Sequence, residues 1–227
     1  MFYTCGPAPA GGARGRSLQS AAKSFCIDMH CHLHNPTVEQ MVAPVFAVER
    51  EPGIRFQSAL SREVNRKQGE NVRPQIMPDV VDRRLRDMDK MGVDVQALST
   101  SPFHFNYWLE PDLAKKCSLV VNDTIAEVVT KHPDRFVGLG HVPLQDEGLA
   151  IEMLDRNIKE LGFRGIEIGT NIAGKEVSRN LDRFWARVQE LDVVVFMHPN
   201  GFTGAERLSD HYFNNVIGNP LDTTVAL

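Results

Sequence analysis

Several features are missing from this chain of 227 residues. It has no run of lysine and arginine, and its formal net charge is -4. A basic face for nucleic acid is therefore not expected. No apolar stretch approaches the length of a bilayer span, so no membrane partner is expected either. The four cysteines, Cys5, Cys26, Cys31 and Cys117, form no CxxC pair and no disulfide-like framework. They read as reduced thiols, and a cytoplasmic location is the expectation. No glycine-rich loop follows the first apolar run, which argues against a Rossmann-type nucleotide site. What remains is ordinary: 42% hydrophobic and 24% charged residues, enough for one domain with a sizeable core.

Residues 1–24 are rich in Gly, Ala, Pro and Ser, with Arg14, Arg16 and Lys23 and no acid. They are expected to be a flexible leader, with an organelle-targeting peptide as the alternative. Beyond them a pattern repeats. The runs "FCID", "VDVQALS", "RFVGLGHVP", "RGIEIGT" and "DVVVFMHP" are near-continuously apolar, as strands covered on both faces are. Helical spacing marks the segments 78–92, 111–133, 146–162 and 181–191 between them. Segment 37–77 breaks the rhythm and reads as a long, charged, irregular insertion. The β-α order predicts an α/β fold with parallel strands. Polar residues gather at the C-terminal ends of the strands, where (β/α)8, or TIM, barrels build their sites. Five strand-helix units are visible against about eight in such a barrel. Residues 25–227 are thus expected to be the N-terminal part of a barrel, and the chain to be truncated.

The chemistry concentrates in "FCIDMHCHLHNP". Side chains at i and i+2 of a strand share a face, so His30 and His32 point the same way and can share one metal ion. Cys31 points to the other face. A lone His-x-His is a weak signal, and a surface loop with satisfied histidines explains it equally well. His198 shifts the balance, because it ends the fifth run and a barrel brings that end toward the first strand. Three imidazoles suit one divalent cation with room for water, which favours zinc, with manganese as the second choice. His34 is expected in a loop near the site in a supporting role. His141 is expected to be packed or hydrogen-bonded, and His132 to cap a helix or be solvated. The loop "STSPFHFNYWLEP" is dense in rings. Phe103 and Trp108 are candidates to wall a pocket for a planar substrate, packing of the loop being the alternative. Arg73 is a candidate to bind a carboxylate through its planar fork, against a plainly solvated arginine.

The pieces "IDMHCH", "RLRDMDKMGVDVQALS", "YW", "RFVGLGHVPLQ", "ELGFRGIEIGT" and "FMHP" run in order from about residue 25 to the C-terminus. In them the chain resembles the amidohydrolase superfamily, in the branch of aminocarboxymuconate-semialdehyde decarboxylase and related aromatic-acid decarboxylases. The resemblance implies a (β/α)8 barrel and a metal held by His30, His32 and His198. It also implies a fourth ligand, an aspartate, and a catalytic histidine on later strands, both expected beyond Leu227, so full activity is not expected of these residues alone. A tryptophan follows "HP" in the muconate enzymes. Asn200 stands there in this chain, which makes it a candidate for substrate choice and puts the muconate substrate in doubt. No lysine ends the fourth run, so a mononuclear site is expected. The implied activity is decarboxylation of a small unsaturated or aromatic carboxylic acid. Hydrolysis of a lactone or amide is the alternative, and a non-catalytic fragment the second. A homo-oligomer is expected at full length.

Overall fold

The apolar runs become strands of one parallel sheet in the computed structural model, which describes residues 24–227. The expected leader therefore lies outside the described residues, apart from Ser24. In chain order the strands are β1 (Ile27–Leu33), β2 (Val95–Thr100), β3 (Phe136–His141) and β4 (Gly165–Gly169). A short hairpin of β5 (Asn171–Ile172) and β6 (Lys175–Glu176) follows, then β7 (Val194–His198). The sheet order is β1-β2-β3-β4-β7, every pairing parallel, with β5 and β6 paired antiparallel outside it. The curved sheet with helices on its outer face is an incomplete (β/α)8 barrel of five strand units, as the sequence predicts.

The crossover helices are α3 (Val81–Met91), α4 (Pro111–Lys131), α5 (Glu147–Asp155) and α6 (Asp182–Leu191). Their boundaries follow from local chemistry. Gly92 ends α3 in the left-handed region at φ 73°, where a side chain would be strained. Asp146 caps α5 by accepting from Leu149 N at 2.9 Å. α5 then passes into a π-turn over Arg156–Glu160, so the helical stretch expected to Gly162 is regular over only its first part. Along α4, Ala114, Cys117, Val121, Ile125 and Val128 recur every three or four residues and are buried. They pack with Cys31, Leu33, Leu98 and Phe136 from the strands. Each Val, Leu, Ile or Phe among them contributes about 1.5–3 kcal/mol when taken from water. A second cluster joins Ile166 and Ile168 of β4 to Leu154 and Phe184 of the helices. Gly165 lets β4 and β7 close up. A Cβ there would sit 2.2 Å from the Val194 carbonyl oxygen.

Segment 37–77 is not irregular, and this expectation is corrected. It holds most of α1 (Pro36–Val42) and all of α2 (Ala59–Val72), joined by short 3-10 turns. Asn35 starts α1 by accepting from Thr37 N and Val38 N. Ser58 starts α2 by accepting from Ser61 N at 3.3 Å. α2 is laced by Glu63–Arg66, Arg66–Glu70 and Glu63–Lys67 pairs at helical spacing. Its apolar stripe is weak, which hides it from periodicity.

Candidate metal centre

β1 carries the first two candidate ligands. Its alternation sends Cys31 and Leu33 outward into the helix layer, while His30 and His32 face the inside of the curved sheet. His198, at the end of β7, arrives from the opposite edge of the sheet, in register with Gly169 of β4. The ring centroids of His30 and His32 lie 4.8 Å apart, those of His30 and His198 4.9 Å, and those of His32 and His198 5.0 Å. One nitrogen from each ring can be chosen so that all three lie within 4.8 Å of one another.

The tautomers are set by acceptors that cannot donate. His32 Nδ1 is 2.8 Å from the Thr100 carbonyl oxygen, so the proton sits on Nδ1 and Nε2 keeps its lone pair. His198 Nδ1 is 2.7 Å from the Pro199 carbonyl oxygen, with the same result. His30 Nε2 comes within 2.9 Å of His32 Nε2. Two nitrogens bound to one cation at ~2.1 Å stand about 3.4 Å apart at the tetrahedral angle. The pair is thus already near the spacing that a shared ion requires. Burial pushes the pKa of all three rings down, to about 4 for His198, which keeps them neutral. Neutral imidazole is the form that ligates. The donor set therefore fits a divalent cation. The guanidinium of Arg84 donates to the His32 carbonyl at 2.7 Å and fixes the backbone behind that ring.

One acid at this site escaped the sequence reading. Glu167, in the middle of β4, is fully buried. Its Oε1 lies 3.7 Å from His32 Nδ1, on the far edge of the ring from Nε2. Neither oxygen has a hydrogen bond of normal geometry. Burial holds its pKa well above the usual carboxylate range, against the Ser99 hydroxyl, which favours the ionised form. The available signal was the lone acid inside "GIEIG": Ile166 and Ile168 face the helices, so the residue between them must face inward.

The other histidines singled out in the sequence have partners of their own. His34 follows β1, is buried, and stands 3.2 Å from Glu39 Oε2. Its ring lies tilted against His104, centroids 4.7 Å apart, and His104 Nε2 accepts from Asn35 N. His141 is packed as expected, between Ser118, Asn122 and the Phe105 carbonyl, and burial lowers its pKa to about 4. His132 ends α4, its N–H donating to the Val128 and Val129 carbonyls.

Two cavities adjoin one another at this end of the sheet. The smaller, about 50 Å³, is lined by His198, Asn200, Glu51 and Phe103. The larger, about 420 Å³, shares Glu51 and Phe103 and adds Phe46, Arg62, Arg66 and Arg73. Phe103 is thus at the wall of both. Arg73 lines the larger and pairs with Glu39 at 3.2 Å. Trp108 stands behind the wall and donates from Nε1 to Glu51 Oε2 at 3.1 Å. Asn200 lines the smaller, but its amide is engaged: Oδ1 accepts from Thr170 and Asn171, and Nδ2 donates to the Asn171 carbonyl. Phe105 and Tyr107 turn away and stack in the core. Glu51 was not singled out in the sequence. It is buried, and desolvation raises its pKa to about 7 despite the Trp108 and Gly53 N–H groups.

Comparison with known proteins agrees with this architecture. The chain is 37% identical over 151 residues to 2-amino-3-carboxymuconate-6-semialdehyde decarboxylase of Dictyostelium discoideum, covering 66% of this chain and 41% of that protein. It is 34% identical over 128 residues to a gamma-resorcylate decarboxylase of Polaromonas sp., covering 53% and 39%. The chain therefore spans about two-fifths of the length of these curated relatives. Among solved structures, manganese-bound 5-carboxyvanillate decarboxylase of Novosphingobium aromaticivorans superposes with a TM-score of 0.79 at 20% identity, over 90% of this chain and 60% of that one. That likeness speaks for the fold. The amidohydrolase family model matches residues 27–222, nearly all that is described, and the chain belongs to that family.

Proposed function

We propose that His30, His32 and His198 hold one divalent cation in an enzyme that removes CO2 from a small unsaturated or aromatic carboxylic acid. The observation that carries this reading is the convergence of three neutral rings, two of them with Nδ1–H tied to a carbonyl and Nε2 left to bind. The relatives support the reaction: the two named above are decarboxylases, and the solved structure is of an aromatic-acid decarboxylase with manganese. Three imidazoles favour zinc, and the manganese in that structure keeps the second choice open.

A divalent cation bound there supplies Lewis-acid charge that draws a carboxylate and opposes the negative charge growing on the substrate as CO2 leaves. The rest is done by the chain. The Thr100 and Pro199 carbonyls hold His32 and His198 in the ligating tautomer. Phe103 offers a flat apolar wall to a planar acid. Arg62, Arg66 and Arg73 line the larger cavity, and the planar fork of Arg73, paired with Glu39, is placed to meet a substrate carboxylate. Asn200, through Thr170 and Asn171, pins the backbone that follows His198 and shapes the smaller cavity.

The test is to load the protein with zinc or manganese and offer 2,6-dihydroxybenzoate, 5-carboxyvanillate and 2-amino-3-carboxymuconate-6-semialdehyde. Headspace CO2 and calorimetric binding of 4-hydroxy-3-methoxy-5-nitrobenzoic acid are then measured. Metal-dependent CO2 release or analogue binding, lost in His198→Ala, is expected. Metal-dependent ring opening or hydrolysis without CO2 would replace decarboxylase by hydrolase. Neither CO2 nor binding with any acid would refute the reading.

A further inference from the structure

The reading of three histidines as ligands leaves Glu167 unexplained. A carboxyl placed with no exposed surface and no normal hydrogen bond on either oxygen is costly, and proteins keep such groups where something else supplies the missing interaction. β4 has no packing need for it, since the strand is otherwise Gly and Ile and an apolar side chain would fill the same space. Among the described residues, His32 is the one basic side chain within ion-pair distance of it, at 3.7 Å. The approach is to Nδ1, the edge opposite the nitrogen that ligates. Asp28, the other acid near these rings, is engaged by the His30 N–H and the Gln96 amide.

These two features complement one another. A ligating ring must also be held on the edge that faces away from the cation, and the Glu167 carboxyl stands 3.7 Å from that edge of His32. Ligating histidines commonly have a carboxylate or carbonyl on their other nitrogen, which fixes the ring and strengthens it as a ligand. His32 has the Thr100 carbonyl at 2.8 Å and the Ser99 hydroxyl at 3.1 Å there already, with Glu167 just behind. We propose that Glu167 is a positioning residue of the metal centre, its buried carboxyl holding the His32 ring and tightening the grip on a divalent cation. The proposal rests on the three-histidine reading above.

The experiment is calorimetric titration of Zn2+ and of Mn2+ into the metal-free wild type, Glu167→Gln, Glu167→Met and His198→Ala, with a thermal melt of each metal-free protein. Glu167→Gln and Glu167→Met are expected to bind about 10- to 100-fold more weakly. Their metal-free melts are expected to be no lower than the wild type, because the buried carboxyl has no hydrogen bond of normal geometry to lose. Wild-type affinity in Glu167→Gln, with His198→Ala losing binding, overturns the role of Glu167 and leaves the three-histidine site standing. A metal-free melt that falls along with affinity in both Glu167 variants makes the carboxyl structural and also overturns it. A wild type that takes up neither ion removes the three-histidine reading itself, and this proposal with it.

Discussion

Replacing Glu51 by Gln gives a pH-dependent change in stability whose sign and size follow from the structure. Glu51 is buried beside the cavity, accepts from the Trp108 indole, and has its pKa raised from 4.5 to about 7. In the unfolded chain the group loses its proton near 4.5, whereas in the folded protein it keeps it until about 7. Between these values the folded state binds the extra proton, so the group costs stability as pH rises through that window. Below 4.5 both states are protonated and the cost vanishes; above 7 it is complete. At about 1.4 kcal/mol for each pH unit over which the states differ by one proton, the full cost is roughly 3 kcal/mol. Gln keeps the shape and an oxygen for Trp108 but cannot ionise. Urea unfolding of both proteins from pH 4 to pH 8 should find them within about 1 kcal/mol at the acid end. Glu51→Gln should gain roughly 3 kcal/mol on the wild type by pH 8. A difference that does not change with pH would refute the assignment of a buried, neutral Glu51.

Three further substitutions probe the frame and the cavity. Gly165→Ala places a Cβ 2.2 Å from the Val194 carbonyl oxygen, and backbone cannot swing aside; a loss of about 1–3 kcal/mol or more in urea unfolding is expected. Asn122→Ala removes the amide that accepts from the His141 N–H and donates to the His141 carbonyl, both buried. Chemical denaturation should register about 2–4 kcal/mol, at ~1–2 kcal/mol for each broken buried bond. Phe103→Ala should weaken binding of 4-hydroxy-3-methoxy-5-nitrobenzoic acid several-fold while metal affinity stays at the wild-type value, because Phe103 lines the cavities but offers no ligand atom. Equal analogue affinity would take Phe103 out of the pocket.

The barrel strands were legible because burial on both faces leaves a continuous apolar run, as in "DVVVFMHP". His30 and His32 were legible because strand alternation fixes which side chains share a face, and His198 because it ends a strand of the same sheet. α2 was not, since its helix rests on caps and charge pairs rather than an apolar stripe. Glu167 and Glu51 were not, for a shared reason. Their burial comes from distant pieces of chain: Glu167 by the sheet closing around His32 and Ser99, Glu51 by Trp108 coming in from the loop after β2. A one-residue pattern carries no record of such neighbours. Asn200 shows the reverse case, where a residue picked out for the substrate has its amide engaged by Thr170 and Asn171.

The central claim is that three imidazoles from the two edge strands hold one divalent cation. The most direct measurement is metal content per chain by elemental mass spectrometry after equilibrium dialysis against Zn2+ or Mn2+. It would be made on the wild type and on His30→Ala, His32→Ala and His198→Ala, each checked for folding by circular dichroism. One ion per wild-type chain is expected, with occupancy collapsing in each folded variant. Folded wild type without metal, or stoichiometric metal retained in any of the three variants, would contradict the account.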